Sequence, residues 1–355
     1  TGTGELVLSG ARRNNLRSVD ATFLTGALNV VCGVSGAGKT SLVEELVDRI
    51  SRRVVLPGAD RIDKVIALDS SPIGRTPRSN PATYTGISDR IRDLFASLPE
   101  AKARGLGPSA FSFNVAGGRC PDCEGAGVKQ LGMRFLGTVD LPCESCGGKR
   151  FLDAVLEVRF DGKSIRDVLD TTIHEARALF SAHPRILGTL ALLDDLGLGY
   201  LPLGHPATAL SGGEAQRIKL ATELVGSKKA RTLYVLDEPT IGMHPVDVER
   251  FLRAVHRLVD DGHTVIAVEH DLDFVRAADR VIELGPGSGS EGGTIVVAGT
   301  PEDLAACAQS ATGRFLRAAP GTPSPVPREP PAVAAAAVRL RGVRTRNLRS
   351  IDVEV

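Results

Sequence analysis

Short apolar runs alternate with amphipathic stretches towards both ends of the chain. Runs at residues 6–8, 28–32 and 64–68 predict strands, and the second leads through a glycine-rich turn into a predicted helix over 40–50. After residue 211 the pattern predicts helices to 225, over 246–260 and over 272–278, with strands over 232–236, 264–268 and 280–284. Such alternation favours an α/β fold with a mostly parallel sheet covered on both faces.

The pattern changes between residues 81 and 205. Glycine-rich stretches surround four cysteines there, and helix-like segments follow at about 165–180 and 185–196. We interpret 81–205 as an inserted, largely helical domain that divides a core into residues 1–80 and 206–318. Six of the twelve residues over 320–331 are proline, which predicts a semi-extended linker over 319–336.

The last nineteen residues repeat the beginning of the chain. Residues 337–355 align with residues 5–23 at an offset of 332, with eight identities. We therefore expect residues 337–355 to start a second copy of the first domain. The first residue is Thr rather than Met, and together these features favour a piece of a tandem protein.

Composition narrows the possible partners. The 355 residues are 42% hydrophobic and 24% charged, with a formal charge of +1, so any nucleic-acid partner must be met by a local basic patch. Apolar runs such as 332–338 are far shorter than the roughly 20 residues of a membrane span. The N-terminus lacks the features of a secretory signal, so secretion is not supported, and we expect no membrane partner.

Residues 33–40, GVSGAGKT, match the phosphate-binding loop G-x-x-x-x-G-K-[ST] between a strand and a helix. Backbone N–H groups of such a loop bind phosphate oxygens, and the helix N-terminus adds a favourable partial charge. The expected nucleotide contacts are Gly33, Ser35, Gly36, Gly38, Lys39 and Thr40. Lys39 is expected on the β and γ phosphates and the Thr40 hydroxyl on Mg²⁺.

Two carboxylates follow the apolar strand 233–236. Ligands of parallel α/β sheets bind at the carboxyl ends of strands, so Asp237 and Glu238 are expected beside the phosphate loop. We expect Asp237 to bind Mg²⁺ through water and Glu238 to be the general base that activates the attacking water. Without the phosphate loop, the same pattern would indicate an ordinary strand end.

Residues 210–217, LSGGEAQR, match the signature sequence of ABC-type ATPases. Ser211 followed by Glu214 is also typical of a simple helix cap. In ABC ATPases the signature residues, here Ser211, Gly212, Gly213 and Glu214, cap an ATP held by the opposite nucleotide-binding domain. His270 after the strand 264–268 resembles the switch histidine that contacts the γ-phosphate.

The four clustered cysteines are spaced C-x₂-C-x₁₉-C-x₂-C. Two such pairs can close a tetrahedral site with no open position, which predicts a structural Zn²⁺ on Cys120, Cys123, Cys143 and Cys146. A redox pair or a chance match is the alternative. Nearby basic residues could meet DNA phosphates, namely Lys129, Arg134, Lys149 and Arg150. Residues 111–151 hold five basic and four acidic side chains, so a merely solvated surface is equally supported.

With these motifs placed, residues 5–318 resemble the C-terminal nucleotide-binding half of the UvrA family, ABC-type damage sensors of bacterial nucleotide excision repair. The resemblance is carried by the phosphate loop, SPIGRTPRSNPATY over 71–84, FSFNV over 111–115, the signature and DEPT over 237–240. It implies an ABC-type ATPase core interrupted by a signature domain with a zinc module. It also implies ATP hydrolysis with Mg²⁺, binding of damaged double-stranded DNA and a UvrB-type partner, but no nuclease activity in this chain. A cytoplasmic location, a second nucleotide-binding domain in cis and homodimerisation are further implications of the resemblance.

The sequence departs from the family pattern at two positions. Ser70 stands where a Mg²⁺-sensing Gln is usual, and Ile241 stands in place of a second threonine. Two other functions therefore stay open beside repair. One is a UvrA-like paralogue for resistance to DNA-intercalating drugs, and the other is a regulatory module that binds ATP and zinc without hydrolysis.

Overall fold

A computed structural model describes residues 2–69, 71–74, 76, 78–133, 137–226, 230–317, 339–344 and 348–354. The chain divides into two compact units, Thr1–Arg317 and Ala318–Val355. Ser70, Arg134 and the predicted linker over 319–336 lie outside the described residues. Within the described residues, no helix combines the length and the apolar character needed to cross a membrane.

Strands of the described residues are, in chain order, β1 Gly4–Ala11, β2 Val19–Thr25, β3 Leu28–Gly33, β4 Lys64–Leu68, β5 Val128–Met133, β6 Gly137–Pro142, β7 Thr232–Asp237, β8 Thr264–Val268, β9 Arg280–Gly285, β10 Thr294–Gly299, β11 Arg339–Val343 and β12 Ile351–Glu354. Their α-helices are α1 Lys39–Ser51, α2 Pro81–Tyr84, α3 Ile87–Ser97, α4 Pro99–Ala103, α5 Asp153–Leu156, α6 Ile165–Asp170, α7 Ile173–Leu179, α8 Pro184–Leu193, α9 Gly212–Gly226, α10 Pro245–Asp260, α11 Leu272–Arg276, α12 Pro301–Ala306 and α13 Ala311–Arg317.

A six-stranded sheet in the order β10-β9-β3-β8-β7-β4 forms the centre of the larger unit. The five strands from β9 to β4 are mutually parallel, and β10 is antiparallel to β9. β8 is buried at every residue, as its continuous apolar sequence TVIAV requires. The predicted mixed α/β fold with a mostly parallel sheet is confirmed.

Both faces of this sheet are covered. One hydrophobic cluster joins the inner residues of the β1–β2 hairpin to α1 and one face of the sheet. The other cluster joins the opposite face to helices that precede and follow residues 120–150, here called the cysteine segment. It includes Phe95, Phe180 and Phe251. The two antiparallel strands of the cysteine segment, β5 and β6, pair only with each other among the described strands. The exact domain boundaries at 80 and 205 stay predictions.

Two predicted helices differ from the structure. The segment 165–180 forms α6 and α7, separated at Thr171, because the Thr172 side chain caps α7 by accepting a hydrogen bond from the Glu175 backbone N–H. The helix expected over 185–196 ends as α8 at Leu193 and continues as a π-helical turn, Asp194–Leu198. Gly197 in that turn has φ 75°, which the α-helix does not allow.

The repeat is reproduced in backbone detail. In β1–β2, Leu8 pairs with Ala21, and the backbone N–H of Gly10 donates to the Asp20 carboxylate at 2.6 Å. At the same offset of 332, Leu340 pairs with Val353 and the Gly342 N–H donates to Asp352 at 2.7 Å. The hairpin β11–β12 therefore has the local fold of β1–β2. That it starts a second domain stays a prediction.

Candidate nucleotide and zinc sites

The phosphate loop lies between β3 and α1. Gly33 ends β3 with φ 129°, and a Cβ at this position would lie 2.1 Å from the Leu284 carbonyl oxygen of the neighbouring strand β9. Only glycine fits there, because the left-handed backbone and the close approach both exclude a side chain. Gly36 and Gly38 also have positive φ angles. The loop is thereby curled so that α1 begins at Lys39.

Lys39 lies inside the curl of this loop. Its side chain is buried, and Nζ donates hydrogen bonds to the carbonyl oxygens of Gly33 at 3.0 Å and Val34 at 3.1 Å. Ser35 and Thr40 are exposed at the mouth of the loop. An ammonium group, a helix N-terminus and a glycine-rich turn thus meet at one place, which is the arrangement that binds phosphate.

Asn15 supports the loop from outside. Its side-chain Nδ2 donates to the Gly36 carbonyl at 3.0 Å and to the Gly289 carbonyl at 3.2 Å. Sequence reasoning missed this role, since Asn15 lies 21 residues before Gly36. The available signal was the block Asn-Leu-Arg-Ser at 15–18, which recurs at 347–350.

Asp237 lies at the end of β7, beside the phosphate loop. Burial raises its pKa, and the negative charges of Glu238 and Glu44 raise it further, whereas Lys39 and the Thr40 hydroxyl oppose the increase. A cavity of about 290 Å³ is lined by Thr40, Glu44 and Asp237 among others. A hydroxyl and several neighbouring carboxylates supply the oxygen ligands that a hard cation prefers, and the cation would offset the repulsion between the carboxylates. The residues present therefore fit Mg²⁺.

Glu238 is held in an unusual backbone conformation. Its φ is 46°, in the left-handed region, and its backbone N–H donates to the Val268 carbonyl at 2.9 Å. This bond fixes the start of the turn after β7 against the end of β8. Strained non-glycine residues are concentrated at functional sites, where the surrounding structure holds them.

His270 follows β8 at the same edge of the sheet. Its side chain is 62% exposed, and Nδ1 lies 3.9 Å from Oε2 of the buried Glu269. Because β3, β8 and β7 are adjacent and parallel, the phosphate loop, His270 and the Asp237–Glu238 pair share one edge. The structure thus brings these sequence-predicted residues to a common edge. Their contacts with nucleotide stay predictions.

The signature segment forms the predicted helix cap. The Ser211 backbone N–H donates to the Glu214 carboxylate at 2.6 Å, and the Glu214 N–H donates to the Ser211 hydroxyl at 3.3 Å. The Tyr200 hydroxyl also donates to Glu214. Ser211 is exposed before α9, whereas Gly213 is buried against the Ile241 carbonyl. The Glu214 carboxylate is therefore engaged in capping α9.

Two side chains of α9 connect the signature helix to the sheet. The Gln216 amide is buried and donates to the Leu68 carbonyl at 2.8 Å and the Asp237 carbonyl at 3.2 Å. Lys219 Nζ lies 2.6 Å from Asp69 Oδ1. Hydrogen bonds from Lys219 and Ser71 lower the pKa of Asp69 to about 2. Sequence reasoning placed neither contact, although Gln216 belongs to the recognised motif.

The four predicted zinc ligands converge. The Sγ atoms of Cys120, Cys123, Cys143 and Cys146 all lie within 4.8 Å of one another. Sγ of Cys123 is 3.7 Å from Sγ of Cys146. Tetrahedral geometry with Zn–S bonds of about 2.3 Å places sulfur atoms about 3.8 Å apart. The cluster therefore has the dimensions of a structural zinc site.

The surroundings also favour thiolate ligands. Backbone N–H groups, first that of Cys146, lower the pKa of Cys143 to about 7. The Gly127 N–H donates to Sγ of Cys123 at 3.3 Å. Gly125 has φ 80°, and a Cβ there would lie 1.9 Å from the Phe113 carbonyl oxygen, so the knuckle requires glycine. The donor set and its hydrogen bonds fit Zn²⁺.

The candidate DNA contacts differ in exposure. Lys129 and Lys149 are exposed, whereas Arg150 is 8% exposed with its guanidinium carbon 5.2 Å from the centre of the Phe113 ring. Desolvation by burial lowers the pKa of Arg150, and the positive charge of Arg166 lowers it further. Arg150 thus packs against the Phe113 ring. Of the three candidates within the described residues, the two lysines present their charges to solvent.

Comparisons with known proteins give a consistent result. The chain is 50% identical over 329 residues to UvrABC system protein A of Clostridium perfringens, and 52% identical over 327 residues to that of Thermus thermophilus. Both alignments cover 89% of this chain, but only 35% and 34% of the respective relatives. The chain therefore spans about a third of the length of these curated relatives. No family model matches the chain.

A solved structure agrees with the sequence comparison. The crystal structure of UvrA2 from Deinococcus radiodurans is similar with a TM-score of 0.83 and 49% sequence identity. The match covers 89% of this chain and 40% of that protein. The resemblance inferred from the motifs is thereby confirmed, together with the fold class that it implies.

The left-handed backbone at position 238 can be tested by the stability of glycine and alanine variants. We expect Glu238→Gly to have a free energy of unfolding about 0.5–1 kcal/mol higher than Glu238→Ala, because a positive φ strains the backbone of alanine but not that of glycine. Denaturant unfolding of both variants measures the difference. The control pair is Glu249→Gly and Glu249→Ala in α10, where the order should reverse by about 1 kcal/mol. Equal stabilities at position 238 would contradict the assigned strain.

The cysteine cluster makes a metal prediction. We expect about one zinc ion per chain in the reduced protein, and loss of that zinc in Cys143→Ser with a fall in melting temperature of about 5 °C or more. Elemental analysis and thermal unfolding measure both quantities. Cys307→Ser is the control, since Cys307 is a half-buried cysteine outside the cluster. Zinc-free reduced protein, or equal effects of the two substitutions, would exclude the four-cysteine site.

Proposed function

Because this chain is a relative of UvrA over 89% of its length, we propose that it is an ATP-binding and ATP-hydrolysing part of a DNA-damage recognition subunit of nucleotide excision repair. The observation that carries the proposal is the convergence of the phosphate loop, the Asp237–Glu238 pair and His270 at one edge of a parallel sheet. ATP would control DNA binding and the loading of a UvrB-type partner. The proposed setting is a cytoplasmic homodimer.

The proposed reaction is hydrolysis of the β–γ phosphate bond by water. Lys39 and the N–H groups over 33–40 bind and orient the phosphates, while Thr40 directly and Asp237 through water would hold Mg²⁺. When bound, Mg²⁺ supplies charge neutralisation on the phosphate oxygens. Glu238 accepts a proton from the attacking water, and His270 donates a hydrogen bond towards the γ-phosphate. The signature residues from Ser211 to Glu214 face a nucleotide of a second domain.

Substitution of the proposed base separates binding from hydrolysis. Glu238→Gln should lower kcat for ATP by about 100-fold or more, because an amide cannot accept the proton, while ATP affinity stays within about threefold. Steady-state phosphate release and equilibrium nucleotide binding measure the two effects. Glu249→Gln is the control, since Glu249 is an exposed acid whose ion-pair partner is Arg253.

Near-normal turnover in Glu238→Gln would remove Glu238 from the role of base. Absence of hydrolysis in the unaltered chain, tested with and without an added second nucleotide-binding domain, would favour the regulatory module that binds ATP and zinc without hydrolysis. These two results are distinct, because only the second concerns the unaltered protein.

The exposed lysines of the cysteine segment test the DNA role. We expect the double substitution Lys129→Ala with Lys149→Ala to weaken duplex binding and to reduce the salt dependence of log K by about 2, since each phosphate contact contributes about 0.9. Binding titrations at several salt concentrations measure this slope. Lys102→Ala, an exposed lysine on α4, is the control. An unchanged slope would place the DNA contact elsewhere.

Comparison of lesion-bearing and undamaged duplex distinguishes repair from drug resistance. A preference for the lesion supports damage recognition. Equal affinity for the two duplexes would favour the resistance paralogue.

A further inference from the structure

Glu269 is a fully buried carboxylate outside the roles assigned so far. Its side chain has 0% exposure at the end of β8. Oε1 accepts hydrogen bonds from the Thr240 backbone N–H at 2.8 Å and the Thr240 hydroxyl at 2.6 Å. Oε2 accepts from the backbone N–H groups of His270 at 2.8 Å and Asp271 at 3.1 Å. The two oxygens therefore each hold a different loop.

The two loops carry the proposed chemistry. Thr240 belongs to the turn that follows Glu238, and His270 is the proposed switch residue. The Glu238 N–H donates to the Val268 carbonyl, so the loops are also joined by a backbone hydrogen bond at 2.9 Å. Burying a carboxylate is costly unless its oxygens are hydrogen-bonded, and here four donors provide those bonds. A carboxylate supplies acceptors at both ends, which neither an amide nor an apolar side chain does.

We propose that Glu269 is a positioning residue that fixes Glu238 and His270 relative to each other. The inference rests on the proposed ATP hydrolysis and deepens it. Glu269 holds the Thr240 turn with one oxygen and the His270 backbone with the other, so that the base and the switch occupy their positions together. The phosphate loop is held separately, by β3 and Asn15. Glu269 therefore affects turnover more than ATP affinity.

Glu269→Gln tests the link with almost no change in size. The amide NH₂ faces donors at one end, so one loop loses its acceptor. We expect kcat to fall by about 10- to 100-fold, as for loss of correct geometry, while KM and ATP affinity change by less than about threefold. Thr240→Val is a milder variant that removes one donor. Its own effect on kcat should largely disappear in the Glu269→Gln background, because both changes break the same link.

Glu283→Gln is the matched control. Glu283 is a second buried glutamate of the same sheet, and its carboxylate accepts hydrogen bonds from Ser310 and Thr312 near α13. It should lower stability without the selective loss of kcat. An unchanged kcat in Glu269→Gln, or the same loss of kcat in Glu283→Gln, would overturn the inference. Additive effects of Glu269→Gln and Thr240→Val would also overturn it.

Amide hydrogen exchange separates this inference from the proposed function. In the absence of nucleotide, Glu269→Gln should accelerate amide exchange in the loop that loses its acceptor, 238–241 or 269–271, whereas Glu283→Gln should act on 310–313. If the unaltered chain hydrolyses no ATP, the proposed function fails, and the link is then decided by exchange alone. Faster exchange in one or both loops supports the link, and unchanged exchange in both loops overturns it.

Discussion

Parallel pairing of β3, β8 and β7 is the constraint on which the candidate site depends. Val31 pairs with Val268, and Val268 pairs with Asp237, so three chain segments far apart in sequence end at one level. Parallel strands require long crossover connections, and those connections carry α1, the cysteine segment and the signature helix. The phosphate loop, the acidic pair and His270 share an edge because the backbone ladder aligns the strands that precede them.

Local chemistry made much of this arrangement predictable. The predicted strands 64–68 and 264–268 match the bounds of β4 and β8. For β8 the reason is that a parallel strand buried at every residue leaves a continuous apolar sequence. Gly33 and the residues to Thr40 were recognisable because phosphate binding demands small residues and a helix start at fixed spacing. The cysteine spacing predicted a four-sulfur cluster, since two tight knuckles leave few other ways to bring four thiols together.

Long-range contacts explain what sequence reasoning did not predict. The antiparallel strand β2 was not predicted, although its buried residues Val19, Ala21 and Phe23 alternate with less buried ones, and its pairing with β1 identifies it. The apolar periodicity continues from α6 into α7 and predicts one helix. The Thr172 side chain nevertheless caps α7, so a new helix starts there. Asn15 and Glu269 each have partners that are distant in sequence, Gly36 and Gly289 for Asn15 and Thr240 for Glu269. The repeat of 15–18 at 347–350 marks Asn15 in the sequence, but these distant partners are identified only by three-dimensional proximity.

Hydrogen bonds and one ion pair connect α9, the helix that begins in the signature segment, to the candidate site. Gln216 on α9 donates to the carbonyl of Asp237, the last residue of β7, and Lys219 pairs with Asp69 just beyond β4. Glu269 then joins the turn after β7 to the loop after β8. A rotation of α9 cannot occur without breaking these bonds or moving the ends of β4 and β7. Because the Gln216 amide is buried, breaking its hydrogen bonds would leave an unsatisfied polar group, which is unfavourable and ties α9 to the ends of β4 and β7.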